Sequence, residues 1–241
     1  VVTRGQLVAD VLQALRAAAV PERREHSAGY FPSDLEILGV PAPSIRAVLR
    51  PVARQLREAP RDEVLSVARA LVRTDVHEAR QLAWELIGGR PDVIARLDAA
   101  AVEALGRGND NWATVDGFSV YVAGPAWREG RVRDGDVARW AEGGDRWWRR
   151  TALVSTVALN QRSRGGSGDA PRTLVVCGLL AHDRDPMVAK ALSWALRALA
   201  GVDADGVRAF LGRHGEALHP AVRREVRAKL ETGRKSGRRA R

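Results

Sequence analysis

Ala79-Arg-Gln-Leu-Ala-Trp-Glu85, Arg149-Arg-Thr-Ala-Leu-Val-Ser155 and Ala189-Lys-Ala-Leu-Ser-Trp-Ala195 share one pattern. Each sets its apolar residues on the same phase of a helix, and none alternates as a half-buried strand does. Outward from these stretches, helical periodicity recurs in segments about 10 to 17 residues long. Helices are expected near Arg4–Ala19, Pro43–Glu58, Asp62–Arg73, Val76–Gly88, Pro91–Gly106, Asp110–Ala123, Arg133–Ala141, Asp145–Gln161, Ala170–Ala181, Pro186–Ala200, Asp203–His214 and His219–Glu231. Ser33, Asp62, Asp145, Asp185 and Asp203 read as N-caps, with Pro186 at a first helical position. Gly88, Gly89 and Gly106 read as stops. Helices joined by two to six residues and pairing at about 40-residue spacing describe an all-α, HEAT-like helical repeat solenoid. One unit over residues 1–231 is expected, followed by a basic, disordered tail over residues 232–241. Gln161–Asp169 reads as a flexible connector by its glycine and serine content.

Composition narrows the partners. The chain of 241 residues carries 39 basic against 29 acidic residues, a net charge of +10. That excess favours a polyanion, nucleic acid or an anionic membrane surface, over acidic protein substrates. Only Lys190, Lys229 and Lys235 are lysines, and the arginines that make up the rest pair phosphate oxygens bidentately. An arginine-favouring codon bias explains the same counts. The single cysteine, Cys177, lies in an apolar run without a disulfide or metal partner, which fits a reducing, cytoplasmic setting. No apolar stretch approaches the roughly 20 residues that span a bilayer, and no signal-peptide core is visible. Motifs for zinc proteases, P-loops, dinucleotide turns and serine hydrolases are missing. The five histidines are scattered, and each reads as a surface or capping residue.

Three constellations could carry chemistry. In Asn109-Asp-Asn-Trp-Ala-Thr-Val-Asp-Gly-Phe118, Trp112 and Asp116 stand four residues apart and share a helical face. The pair is either a carboxylate against an aromatic wall, able to stabilise positive charge or orient a water, or a packing tryptophan beside an acid that caps a neighbouring helix. In Met187-Val-Ala-Lys-Ala-Leu-Ser-Trp-Ala-Leu-Arg-Ala198, Lys190, Trp194 and Arg197 form a stripe that is cationic at both ends and aromatic in the middle, suited to a sugar-phosphate backbone. A solvated face with one half-exposed tryptophan gives the same spacing. Within Asp145-Arg-Trp-Trp-Arg-Arg150, Arg149 or Arg150 could project beside these groups while Trp148 enters the core. Trp84, amid Leu82, Leu86 and Ile87, reads as core.

At these residues the chain resembles the AlkD-type DNA alkylation repair glycosylases. Ala28-Gly-Tyr30, Ile37-Leu-Gly-Val40 and Pro43-Ser-Ile-Arg46 are similar to that family's opening segment, and Asn111-Trp112 with Val115-Asp116 to its catalytic helix. Trp147-Trp-Arg-Arg-Thr-Ala-Leu153 and Lys190-Ala-Leu-Ser-Trp-Ala-Leu-Arg197 resemble its two later DNA-contacting helices. The resemblance implies a basic concave groove for duplex DNA and a monofunctional glycosylase. Its substrates would be cationic N3- or N7-alkylated purines, including bulky natural-product adducts in some relatives. Carried over, Asp116 is the catalytic carboxylate, Trp112 and Trp194 pack on the lesion's deoxyribose with Tyr30 nearby, and Arg150 and Arg197 hold phosphates, with Arg149 and Lys190 beside them. A monomer acting without metal or organic cofactor is expected, since an alkylated purine is already a cationic leaving group. Two other classes fit the charge and the helices: a non-catalytic module binding DNA structure, and a protein-interaction solenoid.

Overall fold

The computed structural model describes residues 3–235 and, within them, is all-α and built of successive helices that pack as a helical repeat. Its extended backbone is limited, among the described residues, to one bridge between Glu36 and Val76. The chain divides into two compact units, one ending at Val122 and one beginning at Ala123.

The first unit holds α1 (Arg4–Ala17), α2 (Pro21–Tyr30), α3 (Ala42–Gln55), α4 (Arg61–Val72), α5 (His77–Gly88), the short α6 (Pro91–Ile94), α7 (Ala99–Gly106) and α8 (Trp112–Phe118). In α1, Thr3 accepts from the Gln6 N–H, and Leu7, Val11 and Leu15 recur every fourth residue to bury one stripe. The α5 helix is the centre of this unit and packs on α3, α4 and α8. Its Trp84 is 1% exposed and meets Phe118 edge-on, so the expected core reading of Trp84 holds. The segment Pro91–Gly106, expected as one helix, is two: the chain turns after Ile94, and Asp98 restarts it by accepting from the Ala101 N–H. Helix α2 was not anticipated, because its sequence Pro21-Glu-Arg-Arg-Glu-His-Ser-Ala-Gly-Tyr30 has no apolar stripe to reveal it. Ser33 and Asp62 cap no helix; Pro60 precedes α4, and Ser33 is used elsewhere. After α8 the chain widens into a π-type turn, Ser119–Ala123, where Ser119 donates to the Val115 carbonyl at 2.7 Å.

The second unit holds α9 (Gly124–Arg128), α10 (Asp134–Glu142), α11 (Arg146–Asn160), α12 (Ala170–Leu179), α13 (Pro186–Leu199), α14 (Ala204–His214) and α15 (Pro220–Thr232). Here α11 is the spine, buried on every side from Arg150 to Asn160 and packed on α9, α10, α12 and α13. Such a helix must satisfy its own polar groups. Thr151 and Thr156 donate back to Trp147 and Leu153, and Asn160 donates to Thr173 at 2.8 Å. Asp145, Asp185 and Asp203 cap their helices as expected. Trp127 and Trp140 are core residues, and Trp127 donates its indole N–H to Asp134 at 2.7 Å. Trp148 is only half-buried and leans on Trp140, 5.2 Å between ring centres.

The connector read as flexible is pinned instead. The N–H groups of Gly166 and Gly168 donate to Gln161 and Leu159, and that of Asp169 to the Asn160 side chain. Those backbone partners exist only once α11 is folded beneath the loop, so composition could not disclose them. Helix α15 runs through Thr232 and closes on Gly233 in the left-handed region, φ 72°; residues 236–241 of the expected tail lie outside the described chain.

Candidate functional site

The 31–40 connection between α2 and α3 and the start of α8 together build a site in the first unit. Asn111 is the N-cap of α8: its carboxamide oxygen accepts from the N–H groups of Ala113 and Thr114, both at 3.0 Å. The cap fixes the rotation of α8. Thr114, Val115 and Phe118 turn inward, and Trp112 and Asp116, one turn apart, share a half-buried face. Asp116 is itself engaged by a neighbouring group.

Trp112 is embraced by other rings. Tyr30, 63% exposed at the end of α2, meets it edge-on at 5.6 Å between centres, and Phe31 meets it edge-on at 5.8 Å. Phe31 in turn stacks on His77 at 5.3 Å, and His26 stacks on Tyr30 at 5.8 Å. Trp112, Phe31, His77 and His26 border a cleft of about 370 Å³ whose apolar side includes Val40 and Ile45. Phe31 and His77 are site residues that sequence reading missed. Phe31 follows Tyr30 directly and could have been found; His77 gave no signal, since it opens a helix at an ordinary surface position and stacks on Phe31 only in the folded chain.

His77 is 8% exposed, and among the described residues its Nδ1 has no hydrogen-bond partner. Burial pushes its titration below the usual value near 6.5; Glu78 and Asp110 oppose that shift, and Arg80 adds to it. The unfolded chain therefore binds a proton that the folded chain refuses between the lowered value and about 6.5, so stability is lost as pH falls through that window. The urea midpoint of the protein is expected to drop between about pH 7.5 and 5. His77→Phe should flatten part of that drop. Parallel losses in both proteins would show that another group is responsible.

Two buried charges hold this site from behind. Glu78 on α5, 2% exposed, accepts from the N–H groups of Leu38, Gly39 and Val40 at 3.1, 2.7 and 3.1 Å and so shapes the turn before α3. Arg80, 4% exposed, donates to the Arg107 carbonyl at 2.8 Å and the Asn109 side chain at 3.2 Å, and pairs Asp75 at 2.8 Å. It thereby holds the chain leading into α8.

The remaining expected site residues lie in the second unit. On α13, Val188, Ala191, Leu192, Ala195 and Leu196 are buried, Trp194 is half-buried and Lys190 is exposed. Arg197 lies beside Ser193 at 3.1 Å and Glu225 at 3.8 Å, and burial lowers its proton affinity against the pull of Glu225. Arg149 donates to Asp183 at 2.7 Å and to the Gly143 and Gly144 carbonyls, while buried Arg150 donates to the Met187 carbonyl. Both side chains tie the start of α11 to its neighbours, and Lys190 is the most open of the four cations.

A half-buried carboxylate and indole on one helix face, ringed by aromatics in an all-α repeat fold, define a helical-repeat protein with a built polar and aromatic site. The model of the DNA alkylation repair enzyme family matches residues 11–230. The chain belongs to that family. Among solved structures, a predicted DNA alkylation repair enzyme from Enterococcus faecalis superposes with a TM-score of 0.71 at 17% identity, covering 89% of this chain and 97% of that one. Comparison with curated proteins finds no match. Among the described residues, no helix is long and apolar enough to cross a membrane.

Proposed function

We propose that this protein is a monofunctional DNA glycosylase that hydrolyses the N-glycosidic bond of N3- or N7-alkylated purines in duplex DNA. The observation that carries this reading is the shared, half-buried face of Trp112 and Asp116 beside the exposed ring of Tyr30. An alkylated purine carries positive charge, so when its bond to the sugar breaks, the bonding electron pair neutralises the departing base and leaves oxocarbenium character on the sugar. The Asp116 carboxylate is suited to stabilise that charge and to take a proton from the water that adds to the sugar carbon. Trp112 offers an electron-rich face and excludes bulk water. We assign Trp194 a second sugar contact, and Lys190, Arg197, Arg149 and Arg150 contacts to phosphates. For Arg149 and Arg197 a phosphate would compete with Asp183 and Glu225.

The aromatic cleft beside Trp112 favours a second reading of the same reaction, with bulky adducts as substrates. A methyl group leaves such a cleft empty, whereas the planar body of a large adduct would bury apolar surface in it. Duplexes bearing N7-methylguanine, N3-methyladenine or a bulky N3-adenine adduct distinguish the two. Release of free base from all three is expected under the first reading, and from the bulky adduct alone under the second. Salt-sensitive binding without any release would make the protein a non-catalytic DNA-binding module, and absence of DNA binding would leave a protein-interaction array.

A further inference from the structure

A hydrogen-bonded clasp beside Trp112 joins two segments far apart in sequence. The Ser33 hydroxyl donates to the Asp110 carboxylate at 2.7 Å, and the Asp34 N–H donates to its other oxygen. Ser33 also accepts twice, from the Asn111 carboxamide at 3.2 Å and from the Leu35 N–H at 3.2 Å. Asn111 donates to Asp110 as well, at 2.9 Å, while its oxygen caps α8. One side of the clasp thus follows Tyr30 and Phe31 by two or three residues, and the other immediately precedes Trp112. The rest of the 31–40 connection is held independently: Glu36 is bridged to Val76, and residues 38–40 are held by Glu78.

We propose that Asp110 and Ser33 are positioning residues for Trp112: they touch no reacting atom, and they set the distance and angle at which Tyr30 and Phe31 support the indole. Ring contacts alone are weakly directional. A carboxylate that accepts from three donors is strongly so, because each donor must aim at a lone pair. Asparagine at position 110 keeps the volume but turns one acceptor into a donor facing Ser33 or the Asp34 N–H, which opens the clasp. Because residues 36–40 have their own anchors, the opening stays local to residues 30–34 and the start of α8.

The consequence for activity rests on the glycosylase reading, so the experiment has one arm that does not. In the DNA-free protein, the Trp112 indole N–H resonance is identified by its disappearance in Trp112→Phe. Asp110→Asn and Ser33→Ala are expected to shift or broaden that signal while leaving the other six indole signals in place; Ser33→Thr, which keeps the hydroxyl, restores it. In the second arm, single-turnover base release is expected to fall roughly 10- to 100-fold in Asp110→Asn, as for a misplacement of the order of 1 Å. Affinity for undamaged duplex should stay unchanged. An unmoved Trp112 signal overturns the proposal, as does a shift of all seven indole signals together, which would make Asp110 a support of the whole fold. A shifted Trp112 signal with wild-type base release overturns the catalytic part. If the wild-type protein releases no base, the glycosylase reading fails and the spectral arm still decides the clasp.

Discussion

Asp116→Asn is expected to slow single-turnover base release by roughly 100- to 1,000-fold, about 2.7 to 4 kcal/mol of transition-state stabilisation. The substitution keeps size and most hydrogen-bonding capacity but removes the negative charge. A cationic lesion loses little charge stabilisation in the bound ground state, because phosphates surround it already. The loss is concentrated where the positive charge moves onto the sugar. Binding of undamaged duplex is expected to hold or tighten, since a carboxylate near phosphates is removed. Trp112→Phe should be milder than Asp116→Asn, as it narrows the aromatic wall without abolishing it. The assay is release of free base at saturating protein, with duplex affinity measured in parallel. A rate within a few-fold of wild type would remove Asp116 from the chemistry, and a parallel loss of rate and affinity would make it a structural residue of the interface.

The second large effect concerns stability. Gly39 has φ +81°, and a Cβ built there would lie 2.5 Å from the Arg24 nitrogen and 2.8 Å from the Val20 carbonyl oxygen. Both obstacles are backbone at the start of α2, so no side chain can swing away. Gly39→Ala combines the left-handed penalty with overpacking and should cost about 2 to 5 kcal/mol. Relief requires α2 to back away from the 38–40 turn, and Tyr30 at its far end then moves off Trp112. Gly29→Ala is the control. Its Cβ would meet nothing within 4 Å, and in a helix it should be neutral or stabilising by up to about 1 kcal/mol. Glu78→Gln, which weakens the acceptor for the same turn, should fall between the two. Urea midpoints rank the three, and a Gly39→Ala midpoint matching wild type would mean that the turn and α2 yield more easily than their backbone contacts imply.

The fold was legible where a helix carries an apolar stripe and a cap. α1, α11 and α13 lie where their periodicity places them, since 3.6-residue spacing and an Asp or Thr cap are local properties. Helix α2 was not legible: it is polar on all sides and is held by the Gly39 turn and the Trp112 rings rather than by a stripe of its own. The pinned 161–169 connector was hidden because its partners are carbonyl and side-chain groups presented by the folded end of α11, whereas the break between α6 and α7 is local, marked by the Asp98 cap, and the periodicity of Pro91–Gly106 masked it.

By itself the sequence determined the all-α class, the family-like order of motifs and the shared face of Trp112 and Asp116, because four-residue spacing on a helix is fixed by covalent geometry. Tertiary structure alone decided what surrounds that face. It brought Phe31 against the indole and His77 against Phe31, buried a histidine that composition placed at the surface, turned Ser33 from a helix cap into a clasp on Asp110, and gave Arg149 and Arg150 protein partners. Side-chain environment depends on segments dozens of residues away, and no local pattern encodes the distance at which they meet.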